Sequence, residues 1–219
     1  MANLAFAPAC QRASDLVFNR RTSLYPALTI PGISLWRQGL QRGAITEIIG
    51  RRSSGRTACL LHVLAQATQN GEICALVDAH NQFDPASAEK SGVRLKHLLW
   101  IRCGRNVEYA IRTTDLLLHA GGFGIVALDL CETNYKQLNK IPLSYWFRFR
   151  RAIESTPTIL LISTEFKQAK SCSLNVLNLK IKVSHWAGLP GFRLLRGRTV
   201  VTSLDKPALK NTEPMLLAG

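Results

Sequence analysis

The sequence predicts an α/β fold: a mainly parallel central sheet flanked by helices, with antiparallel edge strands near the C-terminus. Three observations predict it. Short apolar runs alternate with segments of helical period along most of the chain. One such run, Ala44 to Ile49, passes through a glycine-bracketed loop directly into a helical pattern. Two late segments, Val176 to Val183 and Phe192 to Thr202, alternate with period two. At 219 residues the chain suits one such domain with small additions. The expected division is a lead-in over residues 1–42, a core over 43–204 and a flexible basic tail over 205–219.

The elements follow in order. In the lead-in, Ser14 to Val17 can start a short helix, and Pro26, Pro31 and Gly32 break regularity. After the first strand and its loop, Leu60, Leu61, Val63, Leu64 and Ala67 recur at three- and four-residue steps, predicting a helix over about 57–70 that stops at Gly71. Residues 73–78 are a second strand. Asp84 can cap a helix over 85–90, with Pro85 in its first turn. A third strand covers 98–103. Val107, Ala110, Ile111 and Leu116 to Leu118 give the apolar stripe of a helix over 106–119, ended by Gly121 and Gly122. A fourth strand covers 125–129, and 132–142 reads as a polar linker. A helix over 144–155 precedes a fifth strand over 158–163 and a polar loop over 165–173.

The glycine-bracketed loop, Gly50-Arg51-Arg52-Ser53-Ser54-Gly55-Arg56-Thr57, has the G-x-x-x-x-G-K-[ST] spacing of a phosphate-binding loop with one departure. Gly50 and Gly55 let the backbone curl its N–H groups inward, and the helix N-terminus adds partial positive charge. Gly50, Ser53, Ser54, Gly55, Arg56 and Thr57 are the residues expected around nucleotide phosphates. Thr57 and Asp129, which ends an apolar strand, are expected on the magnesium side. The departure is Arg56 in the lysine position. A forked, planar guanidinium is a poor replacement for a point charge in a narrow slot, so ATP binding without efficient hydrolysis is the expectation. The plainer alternatives are a tight strand-to-helix turn with no ligand and, for Asp129, a capping carboxylate.

Formal net charge is +14 and the pI is about 10.0. That balance favours nucleic acid, an anionic surface or an acidic protein as partner. Candidate contacts are Arg148, Arg150 and Arg151, which interleave with Tyr145, Trp146, Phe147 and Phe149. The alternative for that helix buries its aromatics and leaves its arginines in water. Lys167, Lys170, Arg193, Arg196 and Arg198 are further candidates, and Arg51 and Arg52 either face solvent or add phosphate or DNA contacts. The longest apolar runs are too short to span a bilayer, and no membrane partner is expected. The N-terminus lacks a charged start followed by a long apolar block, so a cytoplasmic protein is expected. Six cysteines show no C-x-x-C spacing and read as buried free thiols in a reducing compartment.

With these elements placed, the sequence resembles the bacterial RecA recombinase family from about residue 29 to about 184. GAITEIIGRRSSGRTACLLHVLA is similar to that family's strand, loop and helix. VDAHNQFDPASAEKSGV is similar to its following strand and helix. IVALD and TILLIS resemble two later core strands. The resemblance implies a RecA-like core with ATP and Mg2+ as cofactors, and it also exposes departures. The family's phosphate lysine is Arg56 here, and its catalytic glutamate is His80, whose imidazole poorly matches a carboxylate activating water. The adenine-stacking aromatic falls near Ser87, and the γ-phosphate-sensing glutamine falls at Thr164. Both DNA-binding loops look shortened. No catalytic residue is expected.

These losses resemble the ImuA type, a degenerate RecA paralogue that assists mutagenic translesion synthesis. The segment PLSYWFRFRRAIESTPTILLI is similar to ImuA-type sequences. The resemblance implies a non-hydrolysing accessory in the DNA damage (SOS) response. Its partners would be RecA, an ImuB-like or other DNA polymerase subunit, and single-stranded DNA. Two alternatives remain: a DNA-binding RecA-family protein that binds ATP, and a weakly active DNA-dependent ATPase recombinase.

Overall fold

A computed structural model describes residues 25–33, 38–189, 191–192, 194–205 and 210–218. The expected helix start at Ser14 to Val17, Cys10 and Arg193 lie outside the described residues. Five strands, β1 (Ile45–Gly50), β2 (Cys74–Asp78), β3 (Leu98–Arg102), β4 (Ile125–Asp129) and β5 (Ile159–Thr164), run parallel. β6 (Ser173–Ala187) continues the sheet parallel to β1. β7 (Leu194–Asp205) and β8 (Lys210–Ala218) add to it antiparallel. The sheet order is β3-β2-β4-β5-β1-β6-β7-β8. This is the expected α/β architecture, with the antiparallel pairing confined to the C-terminal edge.

Helices cover both faces. They are α1 (Arg56–Gln69), α2 (Pro85–Lys90), α3 (Val107–Ala120), α4 (Tyr135–Leu138) and α5 (Leu143–Ile153). Successive strand residues point to opposite faces, so each strand feeds two cores. Leu76, Ala127 and Leu161 join Leu60 and Leu64 of α1 on one side. Val77, Val126, Leu128, Leu160 and Ile162 join Ile111, Leu118, Trp146 and Phe149 of α3 and α5 on the other. Burial on both faces explains why these strands are continuous apolar runs.

Two expectations are corrected. The linker over 132–142 contains α4, whose Leu138 is buried in the second core. Residues 210–218, expected within a flexible tail, pair with β7 from Gly197↔Ala218 to Asp205↔Lys210. Main-chain pairing needs no apolar signal in the added strand, which is why composition did not announce it.

Part of the lead-in belongs to the main core. Leu28 and Leu40 bridge each other and are buried with Ile30 and Ile33 against α1. Arg42 then fastens this segment to the sheet. Its guanidinium grips Glu72 at 2.8 and 2.6 Å and also reaches the Gly124 and Pro157 carbonyls at 3.3 Å.

Candidate nucleotide site

Parallel register aligns Asp78 of β2, Asp129 of β4 and Ser163 of β5 along the carboxyl edge of the sheet. Open α/β sheets present their ligand crevice at that edge. The glycine loop stands there between β1 and α1. A Cβ on Gly50 would lie 2.3 Å from Ser54 Oγ and 2.7 Å from the Leu179 carbonyl, so only glycine permits this closeness. Ser53 and Gly55 take left-handed φ values of 61° and 94°, which curl the loop. No side chain caps the start of α1, and no acidic residue lies in its first turn. Its leading N–H groups therefore stay unclaimed by side chains and face the loop.

Two polar side chains here each bury an atom that has no hydrogen-bond partner. Ser54 and Arg56 are 2% and 6% exposed, and Ser54 Oγ and Arg56 Nη1 are buried without a hydrogen bond. A buried donor without an acceptor is costly, doubly so on a cation. Phosphate oxygens would satisfy both atoms, so this donor set fits an anion. Thr57, next in sequence, is exposed at the mouth.

Asp129 accepts from the Cys131 N–H at 2.9 Å. Burial pushes its carboxyl above the ordinary value. Hydrogen bonds from Cys131 and the positive charge of Arg56 oppose that push, while the charge of Asp78 adds to it. Asp78 is fully employed. Its oxygens accept from the N–H groups of His80, Gln82 and Phe83 and from Trp100 Nε1. It organises the turn that carries His80. His80 is half-buried, with Nδ1 3.4 Å from Thr133 Oγ1, so the imidazole reaches toward the turn after β4. Among the described residues, no group of three or more His, Cys, Asp and Glu is poised to hold a metal ion.

Other sequence candidates separate in space. Arg52 pairs with Glu132 (Nε to Oε1, 3.0 Å), closing over the loop toward the end of β4, while Arg51 is exposed. A cleft of about 590 Å³ beside the loop is lined by Arg51, Arg52, Glu165, Asn178 and Lys180. Ser87 donates its hydroxyl to Asp84, and Thr164 donates its own to the Phe166 carbonyl at 2.6 Å, so neither stands free for a nucleotide. Arg148 is engaged by Asp115 of α3. Arg151, Lys167 and Lys170 are exposed, and Arg150 is partly so. On α5, Trp146 and Phe149 are buried and meet edge to face at 5.7 Å, while Phe147 stays half exposed. The helix is therefore mainly a core element. The backbone of Arg196 and Arg198 lies in β7.

Thr133 is not picked out by the sequence, and Glu47 enters only as a local candidate, with His80 and Glu165, for activating water in the ATPase alternative. Glu47 is a charged residue in an apolar strand, which is itself a signal of a buried role. Its Oε2 accepts from the N–H groups of Gln168 and Ala169, in the loop after β5.

The fold and loop define the class: an α/β protein with a glycine-bracketed strand-to-helix loop at the carboxyl edge of its sheet. Comparison with known proteins narrows it. Residues 27–134 match the RecA N-terminal domain. The chain is 43% identical to Protein RecA of Methylococcus capsulatus over 119 residues, which are 54% of this chain and 34% of that protein. It is 39% identical to Protein RecA of Colwellia psychrerythraea over 97 residues, 44% of this chain and 28% of that protein. These matches support the RecA family. The chain thus spans about a third or less of the relatives it matches. The family match ends at residue 134, short of the 184 expected from the motifs. Among the described residues, no helix is long and apolar enough to cross a membrane.

Proposed function

We propose that this chain is a RecA-like accessory of DNA repair that binds a nucleotide without turning it over. One observation carries the reading. The phosphate loop keeps its curl and its unpartnered donors, but the lysine position holds a buried arginine and the glutamate position holds His80. The donors can hold phosphate oxygens. Within the site no carboxylate stands where the family activates water, and an imidazole beside a threonine hydroxyl is a weak substitute. With nucleotide bound, Thr57 and Asp129 would hold magnesium, which would neutralise phosphate charge.

The accessory role follows from that loss. A RecA fold without turnover acts through what it binds, which fits an ImuA-type adaptor in the SOS response and translesion synthesis. RecA and a polymerase subunit would be its partners in the cytoplasm. The test is calorimetry with magnesium-ATP, with turnover followed in the same samples, with and without single-stranded DNA. Micromolar binding without turnover is expected. DNA-stimulated turnover would overturn the reading and make the chain an active ATPase.

A further inference from the structure

We infer that the cleft between the start of α3 and the turn joining α4 to α5 docks an acidic peptide segment of a partner protein, anchored by one apolar side chain. Three observations meet there. First, the space is large and its walls are fixed. It has a volume of about 720 Å³ and is lined by residues from 104–111 on one side and 137–145 on the other. Clefts of that size accept a few side chains or a small ligand. The apolar part of the lining is Val107, Ile111, Ile141, Pro142 and Tyr145. One turn beyond Ile111, Asp115 engages Arg148 of α5, which ties the two walls together. Leu138 holds the α4 side in the core.

Second, the charge around the cleft is one-sided. Arg105 and Lys140 line it and are exposed. Among the described residues, no acid pairs with either. The acid in the lining, Glu108, is already held by Arg112 at 2.6 Å. The backbone at the start of α3 adds partial positive charge on the same side.

Third, the backbone fixes Arg105 where a glycine would fit better. Gly104 and Arg105 take left-handed φ values of 59° and 66°. The Gly104 N–H donates to Asn81 Oδ1 at 3.3 Å, and the Arg105 N–H donates to the Ala79 carbonyl at 2.8 Å. Glycine adopts that conformation without strain, so what arginine adds at this position is its cation.

The combination selects the partner. A phosphate ion would answer the cations and leave the apolar lining unmatched. A nucleic-acid strand is held by a track of cations along its length, whereas here two cations flank an apolar hollow. A peptide with Asp or Glu beside a Leu or aromatic side chain answers both, with carboxylates at the rim and the anchor inside. The cleft lies on the α3–α5 face of the sheet, opposite α1, so its occupant leaves the glycine loop open. This inference goes beyond the nucleotide reading and does not depend on it; it gives the accessory reading a surface and a partner chemistry.

The experiment selects short random peptides by phage display on the full chain. The most enriched peptide is then synthesised with a fluorescent label and titrated by anisotropy. Enriched peptides are expected to carry Asp or Glu beside a Leu, Phe or Trp. The protein variant is Arg105→Gly/Lys140→Ala, in which glycine suits the left-handed backbone, and unchanged thermal melting establishes that it folds. It is expected to bind the peptide about tenfold or more weakly. Replacing the peptide's apolar residue by Ala is expected to weaken binding to wild type by a similar factor. Magnesium-ATP is expected to leave peptide affinity unchanged. Wild-type affinity in the variant, or enrichment of peptides without acids, would overturn the docking site while leaving the nucleotide reading intact. Displacement of the peptide by magnesium-ATP would move it to the glycine loop and overturn the cleft. Displacement by oligo(dT) from wild type would reassign the cleft to nucleic acid.

Discussion

The carboxylate of Glu47 accepts a hydrogen bond from the Gln168 N–H at 2.7 Å, joining the strand before the glycine loop to the loop after β5. The same oxygen accepts from Ala169 at 3.2 Å. Glu47 is fully buried. Glu47→Ala should therefore strand two buried amides and cost about 2 kcal/mol or more in urea unfolding. Glu47→Gln, which keeps an acceptor, should cost less. Equal stability of Glu47→Ala and wild type would show that the carboxylate does not hold this loop.

Arg56→Lys tests the proposed nucleotide loop. The variant should bind magnesium-ATP more tightly in calorimetry, because a point charge replaces the fork. It should still not turn ATP over, because His80 remains. Turnover at a recombinase's rate in this single variant would sink the account of the site.

Arg42→Ala should weaken the attachment of the lead-in. The ion pair with Glu72 is bidentate and mostly buried, and three carbonyls also lose a donor. The expected cost is about 1–3 kcal/mol, discounted for the residual exposure of both side chains. Limited proteolysis should then cut the chain between residues 25 and 42 before the body.

Asp84 supplies a pH-dependent test. Its oxygens accept from the Ser87 hydroxyl and N–H and from the Ala86 N–H, capping α2. The Ser87 hydroxyl and then its N–H hold the carboxyl below its ordinary 3.8. A carboxyl lowered by folding stabilises the fold above its ordinary value. That contribution is lost as pH falls through the lowered value. Asp84→Ala should thus melt at a lower temperature than wild type at pH 7. The gap should close on acidification below about 3.8. A gap independent of pH would remove the charge from the cap.

The cysteines predict slow chemistry. Burial pushes Cys59 and Cys74 up to about 12 and Cys131 further still. The thiolate is the reactive form, so a thiol reagent at pH 8 should label these residues only through unfolding. Labelling of all three within seconds, without urea, would contradict the packing described for them.

What was legible in the sequence had local causes. Period-two and period-3.6 patterns predict the parallel strands and main helices because each pattern repeats within one element. Gly50 is required by the close approach of Ser54, and Asp84 by the open N–H groups of α2; both signals lie within a few residues. The partner of Arg148 was not legible, because Asp115 lies on another helix, brought alongside only by packing on the sheet. Phe147 and Phe149 look alike in sequence, yet one is half exposed and the other fully buried. Their directions on the helix decide this, together with what each face meets.

The sequence by itself determined the order of elements, the glycine loop, and the departures at Arg56 and His80. Tertiary structure alone decided which groups meet: Asp129 beside Asp78 and Ser163, Glu47 under Gln168, and β6 running past the end of β1 to pair with β7. The reason is the sheet order. Placing β5 between β4 and β1 joins residues more than a hundred positions apart, and local propensity carries no record of that order.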